Sequence, residues 1–597
     1  MGKRSKGIVK IYLKTLAEVF LFNKTRFIGT ILFLIVSSLN GLLLLKFIDY
    51  ITMTVTDLYN GVYIDFLSVI STAILILLLL LLTTIIGQYY PIFKIKSNLY
   101  IDEDINEKLK RKLGAIDYEY FESENIYEKI NRVNEKVING YNVAIESIFR
   151  IIEIILYVIV YMLYLSKVNV VFSFLVIASI VFSGIMSTKM SKTKHKMFAN
   201  TTKLNEKRDY LDQLPKDKVS HQEYQSGRLF KEIFSKYKQA YDDARDGYLK
   251  IHKYTIFAEA RSLLFFIITI FSAYLYLSFR VSNGLESVDV IISLIIIFDN
   301  LYGKSESLSY YISNRIQDIL VVEEYFEIMS YHETTSNPQL MSHTGDIKFE
   351  NVTYTYPQSE FKALDNLNIS IKSGEKIAIV GENGSGKTTF TNILLGLLTN
   401  FEGTVNIGNQ KFSVDKPIPL KTAQALSQDF TMYQISLREN IMLGGQEKYS
   451  DQSLKEILNT LGIGDFIETL PNGMETSLGQ LEDNGRELSK GQEQKIAAAR
   501  IIANSNTSIW VFDEPTAYLD PLAEIDMYKF LYKLSDKKTM LFISHRLGFA
   551  PMADRIIVFS HGKAVEVGTH EELINLNGIY AQMYEAQKSW YESDKGR

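Results

Sequence analysis

A glycine-rich stretch between residues 381 and 388 has the residue types and spacing of a phosphate-binding loop. It reads Gly-Glu-Asn-Gly-Ser-Gly-Lys-Thr and fits the pattern G-x-x-x-x-G-K-[ST]. An apolar run, 375–380, precedes it, and a segment with helical apolar spacing, 388–398, follows it. These flanks favour the pattern over a chance glycine-rich turn, because backbone N–H groups and a helix N-terminus together bind phosphates. Lys387 is expected to reach the β- and γ-phosphates, and the Thr388 hydroxyl to hold Mg²⁺.

Two adjacent carboxylates end a second apolar strand, predicted over 508–514. A buried strand would deliver Asp513 to Mg²⁺ and place Glu514 to accept a proton from an attacking water. Paired acids also occur where ordinary loops begin. Pro515 directly after the pair, and a further acid at Asp520, favour the catalytic interpretation.

Two more motifs lie at the ends of predicted elements. Residues 488–492, Leu-Ser-Lys-Gly-Gln, open a predicted helix over 493–503, so the helix N-terminus indicates a second anion-binding site. His545 ends an apolar strand predicted over 539–545. A lone histidine is more often structural, but the end of a core strand is where ligands bind in α/β sheets.

Tyr356 and Gln428 complete the candidate residues. Tyr356 lies just before a proline, at the end of a strand predicted over 346–356, and is placed to stack on a base. An aromatic residue there is more often packing, but its distance before the phosphate loop favours ligand contact. Gln428 lies in a short strand-like run, 425–430.

The composition divides the chain into two parts and excludes some functions. Of its 597 residues, the first half contains long apolar runs and the second half has soluble α/β patterning. The formal net charge of −4 provides no field for nucleic acid, which we exclude as a partner. The absence of cysteine excludes disulfides, thiolate metal sites and a cysteine-protease domain within these residues. The basic start, 1–6, lacks the apolar run of a cleaved signal peptide and is interpreted as a cytoplasmic anchor.

Six apolar segments are candidate membrane spans, each of which needs roughly 20 residues. They lie at about 27–47, 66–87, 148–165, 170–186, 257–277 and 288–302. Lys and Arg are rare in the connections 49–65, 166–169 and 279–286 but frequent in 90–147 and 187–253. By the positive-inside tendency, both termini and both long connections face the cytoplasm. A soluble ATPase with buried apolar helices does not explain why the apolar segments and the distribution of Lys and Arg indicate the same membrane arrangement.

The two long connections are predicted to be helices that continue from the membrane into the cytoplasm. Segments 100–113, 202–214 and 227–247 are charged and compatible with helices. Turn-like breaks at 114–122 and 213–218 are expected to contact an ATPase domain. Charges in or beside the spans are candidates for cargo contact, because intramembrane charge is costly, and pairing near the interface is the alternative. These residues are Arg150, Glu153, Glu259, Arg261 and Asp299.

The motifs, in this order, resemble the nucleotide-binding domain of the ABC transporter family. The matching features are the phosphate loop, the Gln428 loop, the signature over 488–492, the strand end Asp513-Glu514, Asp520 and His545. Upstream, six spans with long cytoplasmic connections look like the exporter-type membrane domain. The resemblance implies a membrane α-helical domain of six spans, residues 1–330, followed by an α/β P-loop nucleotide-binding domain, residues 331–597.

The resemblance also implies ATP and Mg²⁺ as ligands and a role for each residue. Tyr356 would stack on adenine, and Thr388 and Asp513 would hold Mg²⁺ with Gln428 nearby. Glu514 would be the catalytic base, His545 would contact the γ-phosphate, and Gln428 would complete the catalytic set. The implied ATP-binding residues are Tyr356, Gly381, Glu382, Asn383, Gly384, Ser385, Gly386, Lys387, Thr388, Thr389, Ser489, Gly491, Gln492 and Asp520.

A single set of motifs with six spans implies a half-transporter that must dimerise. Ser489 and Gly491 would complete the ATP site of the opposite subunit. The family signature is usually Leu-Ser-Gly-Gly-Gln, and Lys490 replaces the first Gly, which either crowds the loop or adds charge near the phosphates. We favour a homodimer with functional sites, and a heterodimer stays open.

Softer cues make the chain similar to lantibiotic and bacteriocin peptide exporters of Gram-positive bacteria. They are the stretches 426–430, 437–441, 491–500 and 542–545, with the segment 117–121. Some relatives carry an N-terminal cysteine peptidase, which this sequence lacks. The resemblance implies a peptide exporter in the cytoplasmic membrane, with peptide-modifying enzymes as further partners. The alternatives are a drug or lipid exporter and a peptide-sensing or immunity ATPase that does not transport.

Overall fold

The computed structural model places the chain in two compact units. It describes residues 14–15, 17–18, 20, 24–61, 63, 65–168, 170–285, 288–314, 316–333, 345–420, 422–444, 449–503, 507–516, 521–534 and 537–593. The first unit comprises residues 1–114 and 129–331, and the second comprises residues 115–128 and 332–597. The division after Tyr331 lies next to the predicted domain boundary. Segment 115–128 joins the second unit although it lies far upstream in the sequence.

Long helices build the first unit. In chain order they are α1 (Lys24–Tyr59), α2 (Phe66–Leu113), α3 (Glu124–Val168), α4 (Val170–Gln213), α5 (Lys218–Ser226), α6 (Phe230–Ser282), α7 (Asp289–Asn314) and α8 (Ile316–Met329). Asp65 and Asp217 cap α2 and α5, because each carboxylate accepts a hydrogen bond from a backbone N–H of the first turn. Both predicted breaks in the cytoplasmic connections are confirmed, since α2 ends at Leu113 and α4 ends at Gln213.

Three described helical segments are long and apolar enough to cross a membrane. They are 27–59, 69–113 and 230–282, and they correspond to the first, second and fifth predicted spans. The other predicted spans fall on α3, α4 and α7, which do not meet the same test within the described residues. The complete set of six spans therefore stays a prediction.

A buried carboxylate on α3 and two partly exposed cations, on α3 and α7, form an ion-paired cluster in the first unit. Glu153 is 3% exposed, and its carboxylate accepts a hydrogen bond from Arg150 Nη1 at 2.7 Å and pairs with the Lys304 ammonium. The Lys304 ammonium also lies 4.7 Å from the centre of the Tyr157 ring. A buried carboxylate would be costly alone, and these cations compensate it. The candidates Arg150 and Glu153 are thus paired with each other.

Two sheets build the second unit. The strands are β1 (Ile347–Thr355), β2 (Lys362–Ile371), β3 (Lys376–Gly381), β4 (Glu402–Ile407), β5 (Gln410–Phe412), β6 (Gln424–Leu426), β7 (Ile509–Asp513), β8 (Thr539–Ile543), β9 (Arg555–Ser560) and β10 (Lys563–Gly568). The first sheet is antiparallel, in the order β2-β1-β4-β5. The second has the order β10-β9-β3-β8-β7-β6, with parallel pairs except at the edge strand β10. The predicted strands are confirmed to within a few residues.

The parallel sheet is built from continuous apolar runs. β3, β7 and β8 are almost wholly buried, as expected for parallel strands covered on both faces. The accompanying helices are α9 (Lys387–Leu394), α10 (Leu437–Met442), α11 (Asp451–Thr460), α12 (Gly464–Glu468), α13 (Lys490–Ala503), α14 (Pro521–Leu534), α15 (His570–Leu576) and α16 (Ile579–Ser593). Because β3, β8 and β7 are parallel neighbours, the loops that follow them meet at one edge of the sheet.

Candidate nucleotide-binding site

The phosphate loop connects β3 to α9 and depends on its glycines. Gly381 has a φ of +147°, and a Cβ there would lie 2.3 Å from the carbonyl oxygen of Phe559. Gly386 has a φ of +105°, and a Cβ would lie 2.7 Å from the carbonyl oxygen of Ala363. Any larger residue at either position would displace backbone, so the sequence pattern reflects a steric requirement.

Lys387 folds back over this loop. Its ammonium donates hydrogen bonds to the carbonyl oxygens of Gly381 at 2.9 Å and Glu382 at 2.7 Å, and to Ser385 Oγ at 3.3 Å. Burial lowers the pKa of Lys387, while the nearby carboxylates Asp513 and Glu514 act in the opposite direction. The loop therefore holds a buried cation at its centre, where phosphates of a nucleotide would bind.

One cleft collects most of the predicted site. Its lining residues are Tyr356, Ala363, Asn383, Gly384, Ser385, Gly386, Lys387, Thr388, Thr389, Gln428, Asp513, Glu514, Ile543 and His545. The Tyr356 hydroxyl lies 3.2 Å from Thr389 Oγ1, so the aromatic ring stands over the start of α9. Gly381 and Glu382 shape the loop through their backbones. The predicted residue Asp520 lies outside the described residues.

Asp513 lies at the end of β7, where its surroundings disfavour the ionised carboxylate. Burial and the neighbouring Glu514 together raise the pKa of Asp513 to about 6, although Lys387 acts in the opposite direction. Carboxylate, hydroxyl and amide oxygens in one cleft suit Mg²⁺, which prefers hard oxygen ligands and keeps several waters. The donor set of Asp513, Thr388 and Gln428 therefore fits this ion. Among the described residues no cluster of three or more His, Asp or Glu side chains could hold a metal.

Glu514 sits in a strained backbone conformation that two neighbours fix. Its φ is +49°, which is uncommon for a residue other than glycine. Its N–H donates to the Ile543 carbonyl oxygen at 2.8 Å, and its own carbonyl oxygen accepts from Gln494 Nε2 at 3.0 Å. Its carboxylate pairs with His545 Nε2. The strand end thus turns the Glu514 side chain into the cleft beside the histidine.

The signature residues form a helix cap away from this cleft. Ser489 Oγ accepts from the N–H of Gln492 at 3.3 Å, and Gln492 Oε1 accepts from the N–H of Ser489 at 2.9 Å, which is a capping box. With Gly491, these residues open α13 and do not line the cleft of their own chain. Lys490 points into solvent, and its ammonium lies 2.7 Å from Glu493. Crowding of the loop by Lys490 does not occur within the chain.

Two residues that secure α13 were missed by the sequence analysis. Gln494 is 1% exposed and holds Glu514, as described above. Arg500 donates to the Asn440 carbonyl oxygen at 2.8 Å, to Asn440 Oδ1 at 3.2 Å and to the Thr431 carbonyl oxygen at 3.2 Å. Arg500 thereby ties α13 to the segment that follows Gln428. A polar residue on an otherwise apolar helix face was the available signal for both.

The first predicted tip docks beside Tyr356, the residue expected to stack on a base. Within the second unit, Glu119 Oε1 accepts hydrogen bonds from the N–H groups of Thr399 and Asn400, both at 2.9 Å. Ser123 Oγ lies 3.4 Å from Gln358 Nε2, two residues beyond Tyr356. The expected contact of segment 114–122 with the ATPase residues is therefore confirmed. The second tip, 213–218, belongs to the first unit, and its expected contact stays a prediction.

The phosphate loop, the paired acids on the neighbouring strand and the separate signature helix define an ABC-type ATPase. Comparison with known proteins agrees, since residues 364–517 match the family described as "ABC transporter". Residues 364–517 therefore carry an ABC transporter ATPase domain, in a chain that has the exporter fold described next.

Similar proteins extend the match to the whole chain. The subtilin transport ATP-binding protein SpaT of Bacillus subtilis is 27% identical, over 97% of this chain and 94% of the relative. The nisin transport ATP-binding protein NisT of Lactococcus lactis subsp. lactis is 28% identical, over 89% and 90%. An ATP-dependent lipid A-core flippase of Escherichia coli (strain K12) is 35% identical, but over only 41% of each chain. A structure of a bacterial Atm1-family ABC exporter with ATP bound gives a TM-score of 0.75 at 20% identity, covering 95% of this chain and 99% of that one.

Replacing Asp513 by Asn should stabilise the nucleotide-free protein. The rise of the pKa from 3.8 to about 6 corresponds to roughly 3 kcal/mol against the ionised form. Since the folded-state pKa is the higher one, the free energy of unfolding falls as the pH rises from 3.8 to about 6, and stays low above that. At pH 8 we expect Asp513→Asn to raise the thermal unfolding midpoint by a few degrees.

The matched control is Asp526→Asn, at an exposed position on α14. It should leave the midpoint unchanged. With saturating ATP and Mg²⁺ the order should reverse, because the parent protein gains more stability from the ligands. A lower midpoint for Asp513→Asn without ligands would contradict the electrostatic account of this site.

Proposed function

We propose that the chain is one half of a dimeric exporter that uses ATP to move a ribosomally made peptide, of the lantibiotic or bacteriocin kind, across the cytoplasmic membrane. The coverage of the relatives is the observation that carries this proposal. The relatives named for subtilin and nisin transport align over 94% and 90% of their lengths, including the helical part. The lipid A-core flippase aligns over 41%, a length similar to that of the ATPase part. Its higher identity therefore speaks for shared ATP chemistry more than for shared cargo.

The nucleotide roles follow from the cleft. Tyr356 is proposed to stack on adenine, and the loop amides with Lys387 to bind the phosphates. Thr388, Asp513 and Gln428 would hold Mg²⁺, which supplies charge neutralisation at the β- and γ-phosphates. Binding would draw the Lys387 ammonium from the loop carbonyls to phosphate oxygens, an exchange of hydrogen-bond acceptors within reach of the same side chain.

Glu514 and His545 are proposed to act on the γ-phosphate and the attacking water. The carboxylate of Glu514 would orient the water and accept its proton. His545, paired with Glu514 here, would turn its imidazole to the γ-phosphate once the nucleotide is bound. The backbone contacts of Glu514 with Ile543 and Gln494 keep the base in place during this exchange.

A second copy of the chain is proposed to complete each site. Ser489, Gly491 and Gln492 lie outside the cleft of their own chain, at a helix N-terminus, which is a favourable position for an anion. Asp520 would belong to the same composite site. ATP would then close two second units against each other, and hydrolysis would release them, with the first unit alternating between inward and outward access. We favour a homodimer.

The membrane arrangement follows the charge pattern. We propose that residues 1–330 form the six-span domain and residues 331–597 the nucleotide-binding domain, with both termini in the cytoplasm of a Gram-positive cell. Peptide-modifying enzymes are proposed as further partners. A drug or lipid cargo is the alternative within the transporters, and a peptide-sensing ATPase is the alternative outside them.

Replacing Glu514 by Gln should separate binding from hydrolysis. The change keeps shape and removes the proton acceptor, so we expect the ATPase rate in lipid to fall about 100-fold or more while ATP affinity is retained. The exposed Glu571 provides a control, and Glu571→Gln should keep the parent rate. Hydrolysis at the parent rate by Glu514→Gln would refute the assignment of the base. An inactive but ATP-binding parent protein would direct the search to a partner subunit or an obligatory cargo.

The dimer proposal can be tested by cross-linking because the chain contains no cysteine. Asn383 and Ser489 are both exposed, one in the phosphate loop and one before α13. In the Glu514→Gln background with ATP, a variant carrying Asn383→Cys and Ser489→Cys should form a disulfide-linked dimer on oxidation. Each single-cysteine variant should stay monomeric on a denaturing gel. Equal cross-linking with and without ATP would argue against a nucleotide-closed composite site.

Cargo class can be read from ATPase stimulation in proteoliposomes. If a peptide is the cargo, precursor forms of subtilin and nisin should raise the ATPase rate severalfold and accumulate inside inside-out vesicles. Glu514→Gln should abolish both effects. Stimulation by glycolipids or amphipathic drugs, with no response to the peptides, would favour the alternative cargo. Stimulation by peptides without accumulation would favour the sensing ATPase.

A further inference from the structure

The histidine beside Glu514 lies just beyond the end of a strand. His545 leaves β8 through Ser544 and precedes a 3₁₀ turn, Leu547–Met552. Its side chain is 45% exposed, whereas that of Glu514 is 13% exposed. A half-exposed imidazole at a strand end is not oriented by packing, so its direction depends on its pairing with Glu514 and on how the backbone around it is held.

Gln587, on helix α16, forms two hydrogen bonds with this backbone. Its side-chain N–H donates a hydrogen bond to the carbonyl oxygen of His545, and its Oε1 accepts from the N–H of Leu547 at 2.9 Å. A primary amide donates and accepts at once, which suits the carbonyl and N–H that flank Arg546. The two bonds also determine which way the amide faces, since a flipped amide would oppose donor to donor.

The helix that carries Gln587 is itself firmly attached. At its start, the Glu566 carboxylate accepts from the N–H groups of Ile579 at 2.5 Å and Tyr580 at 3.0 Å. Tyr580 is fully buried, and its hydroxyl lies 2.8 Å from His570 Nδ1. Gln587 follows Tyr580 by seven residues, which is two helical turns on the same face. The helix that holds the His545 backbone is thus anchored to the edge strand β10.

Other contacts near the histidine act on its neighbours. Arg546 donates its N–H to Ser544 Oγ at 3.0 Å, and its guanidinium bonds to the buried Glu524 at 2.7 Å. These contacts orient residue 546, whereas Gln587 contacts the carbonyl of His545 itself. Gln587 does not line the nucleotide cleft.

We infer that Gln587 is a positioning residue for ATP hydrolysis. It holds the peptide of His545 so that the imidazole keeps its direction toward Glu514 and the γ-phosphate position. The inference rests on the proposed role of His545. Since Gln587 is remote from the nucleotide, it acts on turnover and not on ATP binding, and it makes the C-terminal helix α16 part of the catalytic apparatus.

Two substitutions at Gln587 test this with the full-length protein in lipid. Gln587→Glu keeps the acceptor for Leu547 and sets a carboxylate against the His545 carbonyl, and Gln587→Met keeps the length but removes both bonds. For each we expect kcat for ATP to fall about tenfold, with KM changed less than about twofold. Gln582→Glu, an exposed position on the same helix, is the matched control and should keep the parent kcat. If Gln587→Glu lowers the thermal unfolding midpoint, its kcat no longer tests the inference. The kcat of Gln587→Met then provides the test.

Combination with His545→Ala separates positioning from general support of the fold. If Gln587 acts through the imidazole, Gln587→Met should cost nothing further once His545 is Ala. Multiplied losses in the double variant, or a parent kcat in both Gln587 variants, would overturn the inference. A parent kcat for His545→Ala would instead refute the proposed role of His545, so the two failures are distinguishable.

Discussion

The candidate site of the second unit depends on one constraint, which is the electrostatic free energy of placing two carboxylates and one lysine at the end of a buried sheet. Asp513 keeps a raised pKa because burial and Glu514 outweigh Lys387. The lysine meanwhile donates to oxygens of its own loop. Negative charge at the strand end and a cation held in the loop form a site whose charges a divalent cation and phosphates would balance. The stability lost in the empty protein is thereby recoverable as binding free energy for the nucleotide.

This arrangement explains why Glu514, the proposed catalytic base, needs support beyond its own strand. A positive φ at Glu514 is unfavourable for a glutamate, and β8 and Gln494 supply the hydrogen bonds that maintain it. Gln494 lies on α13, whose first residues are proposed to serve the opposite subunit. In the proposed dimer, one helix would therefore contact the base of its own site and present Ser489 to the other site. A shift of α13 on dimer closure would act on both sites, which is a physical basis for coupled hydrolysis.

Segment 115–128 is likewise held to the rest of the second unit by a small number of side-chain contacts. One carboxylate, that of Glu119, accepts two consecutive backbone N–H groups at 399–400, so a single side chain fixes both position and orientation. The same segment reaches Gln358, close to Tyr356. Burial, with help from Glu122, raises the pKa of Tyr118 to about 12, which keeps this phenol neutral. A connection between long helices therefore ends beside the residue proposed to stack on adenine.

The sequence by itself determined the elements and the residues that carry chemistry. The strands that end at Gly381 and Asp513, and the turn that breaks the helix at Gly114, follow from local patterns: apolar runs, glycine spacing and charge periodicity. The composition of the cleft followed as well, because parallel strands bring their carboxyl ends to one edge. Asp520 and the set of six spans stay predictions.

Only the tertiary structure revealed what holds these residues in place. Gln494, Arg500, Glu119 and Gln587 each use a side chain to bind the backbone of a segment far away in the sequence. Such contacts have no periodicity and depend on how two elements pack, so no local pattern announces them. The parallel order β3-β8-β7 likewise arises from long-range pairing, which decides that Lys387, His545 and Glu514 become neighbours. Short sequence motifs determine which residues can carry the chemistry, and packing between distant segments determines their geometry.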